Sequence, residues 1–330
     1  MDSSRKTQAA IEAVSRAAAL CRAVQTSLGG ADAVAKQDRS PVTVADYGAQ
    51  AVVSLALAEA GLDDPIAGEE DTAELARPER APLREKVVRE VARILPGTSE
   101  HEVLRAIGRG GHAGGGGGRF WVLDPIDGTK GFLRREQYAV ALALIERGRV
   151  VLGVLGCPNL PLDPARPDGP RGCLFVAVAG SGCRMLALES GQEREIRVDR
   201  VRDPGLARLC ESVESGHSSH GDSAEIARVL GIGQPPVRMD SQCKYAAVAR
   251  GDASIYLRLP TRAGYEEKIW DHAAGVIVVA EAGGRVSDLA GGPLDFGCGR
   301  TLRRNRGVVV TNGALHDRVL EACRSVLAAS

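Results

Sequence analysis

The sequence has no net charge, no long apolar run and no paired-cysteine motif, and each absence removes a class of function. Its 330 residues carry 42 basic and 42 acidic side chains. No overall field therefore draws the chain to nucleic acid or to an anionic membrane, and any affinity for anions must come from a local cluster. No apolar stretch approaches the roughly 20 residues that cross a bilayer. The eight cysteines (Cys21, Cys157, Cys173, Cys183, Cys210, Cys243, Cys298 and Cys323) never form C-x-x-C, and several lie in apolar, strand-like runs. That pattern fits buried free thiols in a reducing compartment, with a redox-responsive role for Cys21 or Cys243 left beside it. The six histidines make no metal-spaced cluster with them, which argues against structural zinc. There is no internal repeat. The one low-complexity segment, Gly108 to Gly118, lacks the Gly-Lys-Ser/Thr ending and strand-turn-helix frame of a P-loop, so it is read as a mobile loop.

What is present is ordinary globular composition, 44% hydrophobic and 25% charged, in a length that suits one large or two ordinary domains. The Ala-, Ser- and Arg-rich N-terminus is open to a transit-peptide reading. However, Ile11, Val14, Ala18, Cys21, Val24 and Leu28 recur at helical spacing up to Gly29-Gly30, which predicts a first helix. A second helix is predicted from near Thr43 to Ala60, a short strand at Pro65 to Glu70, and one surface helix across residues 72 to 95. Strand-like runs from Phe120 to about Val198, separated by Gly and Pro turns, predict a mainly antiparallel sheet. After Asp203-Pro204-Gly205 strands and helices alternate, so an α/β half is expected there. The predicted organisation is two domains, 1–205 and 206–330.

The most informative run is Asp124-Pro125-Ile126-Asp127-Gly128-Thr129, directly after an apolar strand. Mg²⁺ takes oxygen ligands in near-octahedral geometry, commonly one or two carboxylates with substrate phosphate oxygens. Two neighbouring ions can share a carboxylate while both clamp a phosphate. Asp124 and Asp127 supply carboxylates. Pro125 has no N–H and Gly128 tolerates unusual dihedrals, which leaves the Ile126 carbonyl as a further ligand. A short helix from Gly128 to Leu133 would turn its N–H groups toward a phosphate. A polar turn with an Asp N-cap is the plain alternative.

Gly68-Glu69-Glu70, Trp121 to Thr129 and Trp270-Asp271-His272-Ala273-Ala274-Gly275, in that order, resemble the inositol monophosphatase-like superfamily of Mg²⁺-dependent, lithium-sensitive phosphatases. The resemblance covers nearly the whole chain. Ser40 to Tyr47, Gly128 to Arg134, Gly216-His217-Ser218-Ser219-His220, Asp240 to Tyr245 and Tyr256 to Pro260 are most similar to its 3′(2′),5′-bisphosphate nucleotidases. Two departures are visible: Arg135 stands where Gly is expected, and Gly114 to Gly118 is unusually glycine-rich.

The resemblance implies a two-domain αβαβα layered sandwich of mixed α/β class with the active site between the halves. It implies two or three Mg²⁺ per site. Glu69, Asp124 and the Ile126 carbonyl would hold one metal, and Asp124, Asp127 and Asp271 another, with Glu70 tuning the site. Asp46 and Thr129 would orient and deprotonate the attacking water, and Gly128 and Thr129 would face the phosphate. His217, Ser241, Lys244 and Arg258, with Asp271, would bind the nucleotide. Alternation along a strand also puts Arg258 and Tyr256 on the face opposite Leu257 and Leu259. Asp46 keeps a capping-box reading with Thr43, and Asp271 a helix N-cap reading. His220, three residues beyond His217, has no partner ligand near it in the sequence. The implied reaction is hydrolysis of adenosine 3′,5′-bisphosphate to AMP, and of 3′-phosphoadenylyl sulfate, as part of sulfur metabolism. An inositol phosphate phosphatase and a catalytically silent nucleotide sensor remain as alternatives. The expected partner is a small-molecule substrate, with no nucleic acid or membrane. The expected protein is a cytoplasmic monomer, with an organellar location left open.

Overall fold

Amphipathic spacing at the N-terminus builds the outermost layer. In the computed structural model, which describes residues 2–27, 33–35, 41–213, 219–262 and 264–329, helix α1 covers Asp2–Ser27. Ile11, Val14, Ala18, Cys21 and Val24 are all buried, whereas Leu28 and Gly29-Gly30 lie outside the described residues. A short antiparallel pair, β1 (Ala33–Ala35) and β2 (Pro41–Thr43), precedes α2 (Val44–Glu59). Helix α2 packs against α1 and the first large sheet.

That sheet has seven strands: β3 (Ile66–Gly68), β4 (Arg119–Asp127), β5 (Ala139–Glu146), β6 (Arg149–Pro161), β7 (Arg171–Val178), β8 (Cys183–Ala187) and β9 (Glu193–Glu195). They lie in chain order, with β3 parallel to β4 and every later pair antiparallel. Between β3 and β4 the single expected helix over 72–95 is replaced by α3 (Thr72–Leu75), a 3₁₀ turn at Pro78–Arg80 and α4 (Ala81–Ile94). Pro78 and Pro82 account for the break, since proline suits the first turn of a helix but not its interior. A further helix not expected from the sequence, α5 (Glu100–Gly108), starts at a capping box in which Ser99 and Glu102 satisfy each other's backbone N–H groups.

Short helix α6 (Thr129–Leu133) follows β4. The remaining elements are β10 (Leu209–Glu211), α7 (His220–Val229), β11 (Val237–Arg238), α8 (Cys243–Arg250), β12 (Ile255–Arg258), a 3₁₀ turn at Ile269–Asp271, α9 (Ala273–Glu281), β13 (Arg285–Ser287), β14 (Val308–Thr311) and α10 (His316–Ala329). The second sheet has the order β11-β10-β12-β14-β13. Three cores define the layers. One lies between α1, α2, α4 and α5 and the first sheet, a second surrounds α8 and α9 between the sheets, and a third joins the second sheet to α7 and α10. The architecture is therefore α, β, α, β, α. Among the described residues the cysteines are free thiols, and all but Cys298 are buried. No described helix is long and apolar enough to cross a membrane.

The glycine-rich connection is better anchored than a mobile loop. Gly110 accepts a hydrogen bond from the Gly68 N–H at 2.9 Å, and the His112 N–H donates to the Ile66 carbonyl at 3.0 Å.

Candidate metal and phosphate site

Strand register brings the acidic residues together. Strands β3 and β4 run side by side with Gly68 opposite Leu123, and the Glu69 N–H donates to the Leu123 carbonyl at 3.2 Å. Glu69 and Asp124 thus leave neighbouring strands at the same level. In a regular strand Asp124 and Asp127, three apart, would point to opposite faces. Against β5, however, Asp124 pairs with Ala141 and Asp127 with Ala139. This bulge inserts one extra residue and turns both carboxylates to one side.

They open into a cavity of about 1030 Å³ that is also lined by Glu69, the Ile126 backbone segment, Gly128, Thr129, Ser241, Lys244, Arg258 and Asp271. Asp46, buried in the first turn of α2, does not line it, but its charge acts on Asp124. The Thr43 half of the expected capping box lies outside the described side chains. His217 lies outside the described residues, within 214–218. His220, in the first turn of α7, donates from Nε2 to the Ser212 carbonyl at 3.0 Å. The N-cap of α9 is His272, so Asp271 sits one position before it, at the end of a 3₁₀ turn.

Electrostatics fit a cation. Burial pushes the Asp124 carboxyl well above the usual carboxylate range, and the charges of Glu69, Asp127, Asp271 and Asp46 push it further. Burial likewise raises Asp271 well above its ordinary value, against the pull of Arg258. Burial also raises Asp127, opposed by Lys244. The buried Asp124 Oδ1 has no hydrogen-bond partner within the protein. Like charges desolvated at one point, with an oxygen left over, are what a divalent ion compensates. The Ile126 carbonyl accepts the Thr129 hydroxyl at 3.2 Å, and its second lone pair remains for a cation.

Backbone conformation is specialised where the two sides meet. Gly128 has φ of 86°, and a Cβ there would come within 2.9 Å of the Ser241 Cβ. Ser241 itself is non-glycine at φ 68°, a conformation that persists only when its surroundings hold it. Lys244 is buried, lies 5.2 Å over the Tyr256 ring and donates to the Met239 carbonyl at 3.3 Å. Burial lowers its pKa, while Asp127 favours its charged form. Tyr256 and Arg258 line the cavity, whereas Ile255 and Leu257 enter the outer core.

Several residues that sequence reasoning missed hold this arrangement. Gln242 donates its backbone N–H to Asp127 Oδ2 at 2.5 Å and its side-chain amide to the Trp270 carbonyl at 2.8 Å. Its Oε1 accepts the Gly275 N–H at 2.9 Å. Gln50 accepts from the Glu70 N–H at 3.1 Å and donates to the Glu70 and Ile107 carbonyls at 2.6 and 2.9 Å. Glu267 receives Arg258 Nε at 3.0 Å and His272 Nε2 at 3.2 Å, and His272 Nδ1 meets the Tyr245 hydroxyl at 2.7 Å. Glu267, Asp271 and His272 cluster closely enough to ligate a metal, but Glu267 is already engaged by Arg258 and His272. Burial raises the Glu267 carboxyl, yet His272 and Arg258 outweigh it and hold it near 2. Tyr265, half exposed, lines the cavity beside Arg258. A second cavity of about 1140 Å³, beside α1 and β9, mixes arginines with glutamates such as Glu193 and Glu281. There the Glu281 carboxylate is taken by the Gly180 and Gly182 N–H groups at 2.8 Å each.

Comparison with known proteins places this geometry. Residues 2–328 match the model of the inositol monophosphatase family. A Schizosaccharomyces pombe 3′(2′),5′-bisphosphate nucleotidase is 45% identical over 97% of this chain and 95% of its own length. An Arabidopsis thaliana 3′(2′),5′-bisphosphate nucleotidase 1 is 47% identical over 98% of this chain and 97% of its own. Among solved structures, an IMPase of Thermotoga maritima superposes with a TM-score of 0.67 at 20% identity, covering 100% of this chain and 99% of that one. Matched from end to end by that family's model and by relatives of this similarity, the chain belongs to the inositol monophosphatase family.

Proposed function

We propose that the chain is a Mg²⁺-dependent phosphoric monoester hydrolase. It removes the 3′-phosphate of adenosine 3′,5′-bisphosphate to give AMP and converts 3′-phosphoadenylyl sulfate to adenylyl sulfate. The carrying observation is a single cavity in which Glu69, Asp124, Asp127 and Asp271 meet Lys244 and Arg258. Names given to relatives at 45 to 47% identity support the substrate class. The cavity takes Glu69, Asp124 and Asp127 from before residue 205 and Lys244, Arg258 and Asp271 from after it. That distribution supports a two-domain division there, with the site at the junction.

Glu69, Asp124, the Ile126 carbonyl, Asp127 and Asp271 would hold two or three Mg²⁺. When bound, the ions supply charge for the phosphoryl oxygens and activation of water. Thr129, which lines the cavity, and the buried Asp46 would orient that water and take up its proton as its oxygen attacks phosphorus. The bond to the 3′-oxygen breaks, and that oxygen takes a proton from solvent to become the 3′-hydroxyl of AMP. The Gly128 to Thr129 backbone faces the phosphate, as N–H groups at a helix start do. Lys244 and Ser241 bind the far phosphate with His217, which lies among residues not described. Arg258 is braced by Glu267, and its planar fork presents a fixed edge to the nucleotide. Tyr265 offers a half-exposed ring in the cavity, and a base stacked on an aromatic ring is worth ~1–3 kcal/mol.

The test is phosphate release from adenosine 3′,5′-bisphosphate, inositol 1-phosphate and 5′-AMP, with Mg²⁺ alone and with added lithium. Rapid, lithium-inhibited release from the bisphosphate is expected. Lithium is a small monovalent cation that can take a metal position without supplying the same charge. Preference for the inositol ester would overturn the substrate assignment, and no release from any substrate would overturn the enzyme.

A further inference from the structure

Arg300 contributes no group to the cavity, yet it touches the chain beside two of the carboxylates. Its guanidinium donates to the Gly110 and His112 carbonyls at 3.0 and 2.9 Å and also to the Gly68 carbonyl. Its flat face lies 4.6 Å over the Trp270 ring. Its own carbonyl accepts the Ile269 N–H at 3.2 Å, and the next residue, Thr301, bridges to Lys268. Gly68 immediately precedes Glu69, and Trp270 immediately precedes Asp271.

We propose that Arg300 is a positioning residue that sets the separation between the Glu69 strand end and the Asp271 turn, so that both carboxylates reach one cation cluster. The two arrive from parts of the chain about 200 residues apart, Glu69 just after β3 and Asp271 at the end of a 3₁₀ turn, and no shared strand or helix fixes their spacing. Arg300 supplies that link through a rigid planar group, with bonds to three carbonyls in its plane and an indole on its face. A lysine could keep the charge, but its compact ammonium cannot span the three carbonyls while stacking. Coordination tolerates little error, and sites degrade when their support is ~1 Å too loose.

The proposal rests on the reading that these carboxylates bind Mg²⁺, and the experiment separates the two. Metal-free wild type, Arg300→Lys and Arg300→Gln are titrated with Mg²⁺ by calorimetry. Thermal midpoints with and without Mg²⁺ and steady-state kcat and KM are also measured. Loss of such outer support typically costs ~10–100-fold in metal affinity. Both variants are therefore expected to bind Mg²⁺ at least about tenfold more weakly and to gain less midpoint on its addition. At saturating Mg²⁺, kcat should fall while KM for adenosine 3′,5′-bisphosphate stays within about threefold. Arg250→Lys is the control for general destabilisation. Arg250 is a buried arginine that pairs with Asp252 and donates to the Pro161 carbonyl. Its replacement should lower the metal-free midpoint and leave Mg²⁺ affinity intact. If Arg300→Lys behaves like Arg250→Lys, destabilised but with wild-type Mg²⁺ affinity, Arg300 is merely structural and the proposal is overturned. Wild type that binds no Mg²⁺ overturns the metal reading instead.

Discussion

The backbone N–H of Gln242 donates to Asp127 Oδ2 at 2.5 Å across 115 positions of sequence. The same residue's side chain is spent on the Trp270 carbonyl and the Gly275 N–H. One neutral residue therefore connects the β4 bulge, the start of α8 and both flanks of Asp271.

Replacing Gln242 by alanine keeps the backbone contact and removes the side-chain pair, leaving a buried carbonyl and a buried N–H unsatisfied. Each such group costs ~1–3 kcal/mol. Gln242→Ala is therefore expected to lose about 2–4 kcal/mol in urea unfolding, and kcat/KM should fall by more than tenfold through displaced carboxylates. Wild-type kcat/KM would mean that Asp127 and Asp271 do not depend on this link.

Asp124 presents the opposite sign. A carboxylate whose folded pKa is raised above its unfolded value costs stability at neutral pH, because the unfolded chain ionises freely there while the folded site resists the charge. Without metal, Asp124→Asn should be more stable than wild type, because the neutral amide places no desolvated charge among Glu69, Asp127 and Asp271. With Mg²⁺ the ranking should reverse, and turnover should be lost. Calorimetric scans with and without Mg²⁺ decide it. A variant destabilised in metal-free buffer would contradict the repulsion described above.

The positive-φ positions test the backbone in two directions. Gly128→Ala would force a Cβ to within 2.9 Å of the Ser241 Cβ at φ 86°, and it should cost about 2–4 kcal/mol together with most activity. Arg135 already occupies φ 60°, where a side chain costs roughly 1–2 kcal/mol. Arg135→Gly should recover about 1 kcal/mol, because part of the relief is offset by glycine's larger unfolded entropy. Equal or lower stability for Arg135→Gly would show that the arginine makes compensating contacts.

These contrasts explain how far the sequence could be read. Asp124, Ile126 and Asp127 could be singled out because oxygen-bearing groups packed into one turn after an apolar strand are visible in the local sequence, and the structure brings them to one cavity. The burial of α1 was legible from spacing alone. Arg135 was visible as a departure, and the structure gives its conformational content. Helix α5 was also legible in principle, since Ser99 and Glu102 form a capping box in adjacent sequence. The break at Pro78 and Pro82 belongs to the same class. Strands β11 and β13 were not legible, because two or three residues hold no periodicity to detect. Gln50, Gln242 and Arg300 were not legible for a different reason. Their partners are mostly backbone carbonyls and N–H groups of remote segments, and a backbone group has no side-chain identity to recognise in a sequence.

His316 gives a pH prediction remote from the cavity. It is buried, with Nε2 at 2.8 Å from the Ser287 hydroxyl and Nδ1 at 3.0 Å from the Thr311 hydroxyl. Ser287 spends its proton on the Asp288 carbonyl at 2.8 Å. It therefore accepts from Nε2–H, and Thr311 donates to Nδ1, which defines a neutral imidazole. Burial, reinforced by Arg285, lowers the pKa from 6.5 to about 4. The unfolded state therefore binds the proton first as pH falls, so the stability due to neutral His316 is complete above pH 6.5 and is lost between there and about pH 4. The loss should approach about 3 kcal/mol. His316→Gln, which cannot titrate, should start less stable at pH 7.5 and lose less between pH 6.5 and 4.5. Urea unfolding of both proteins across that range makes the comparison, and parallel curves would show that His316 does not contribute to the acid sensitivity.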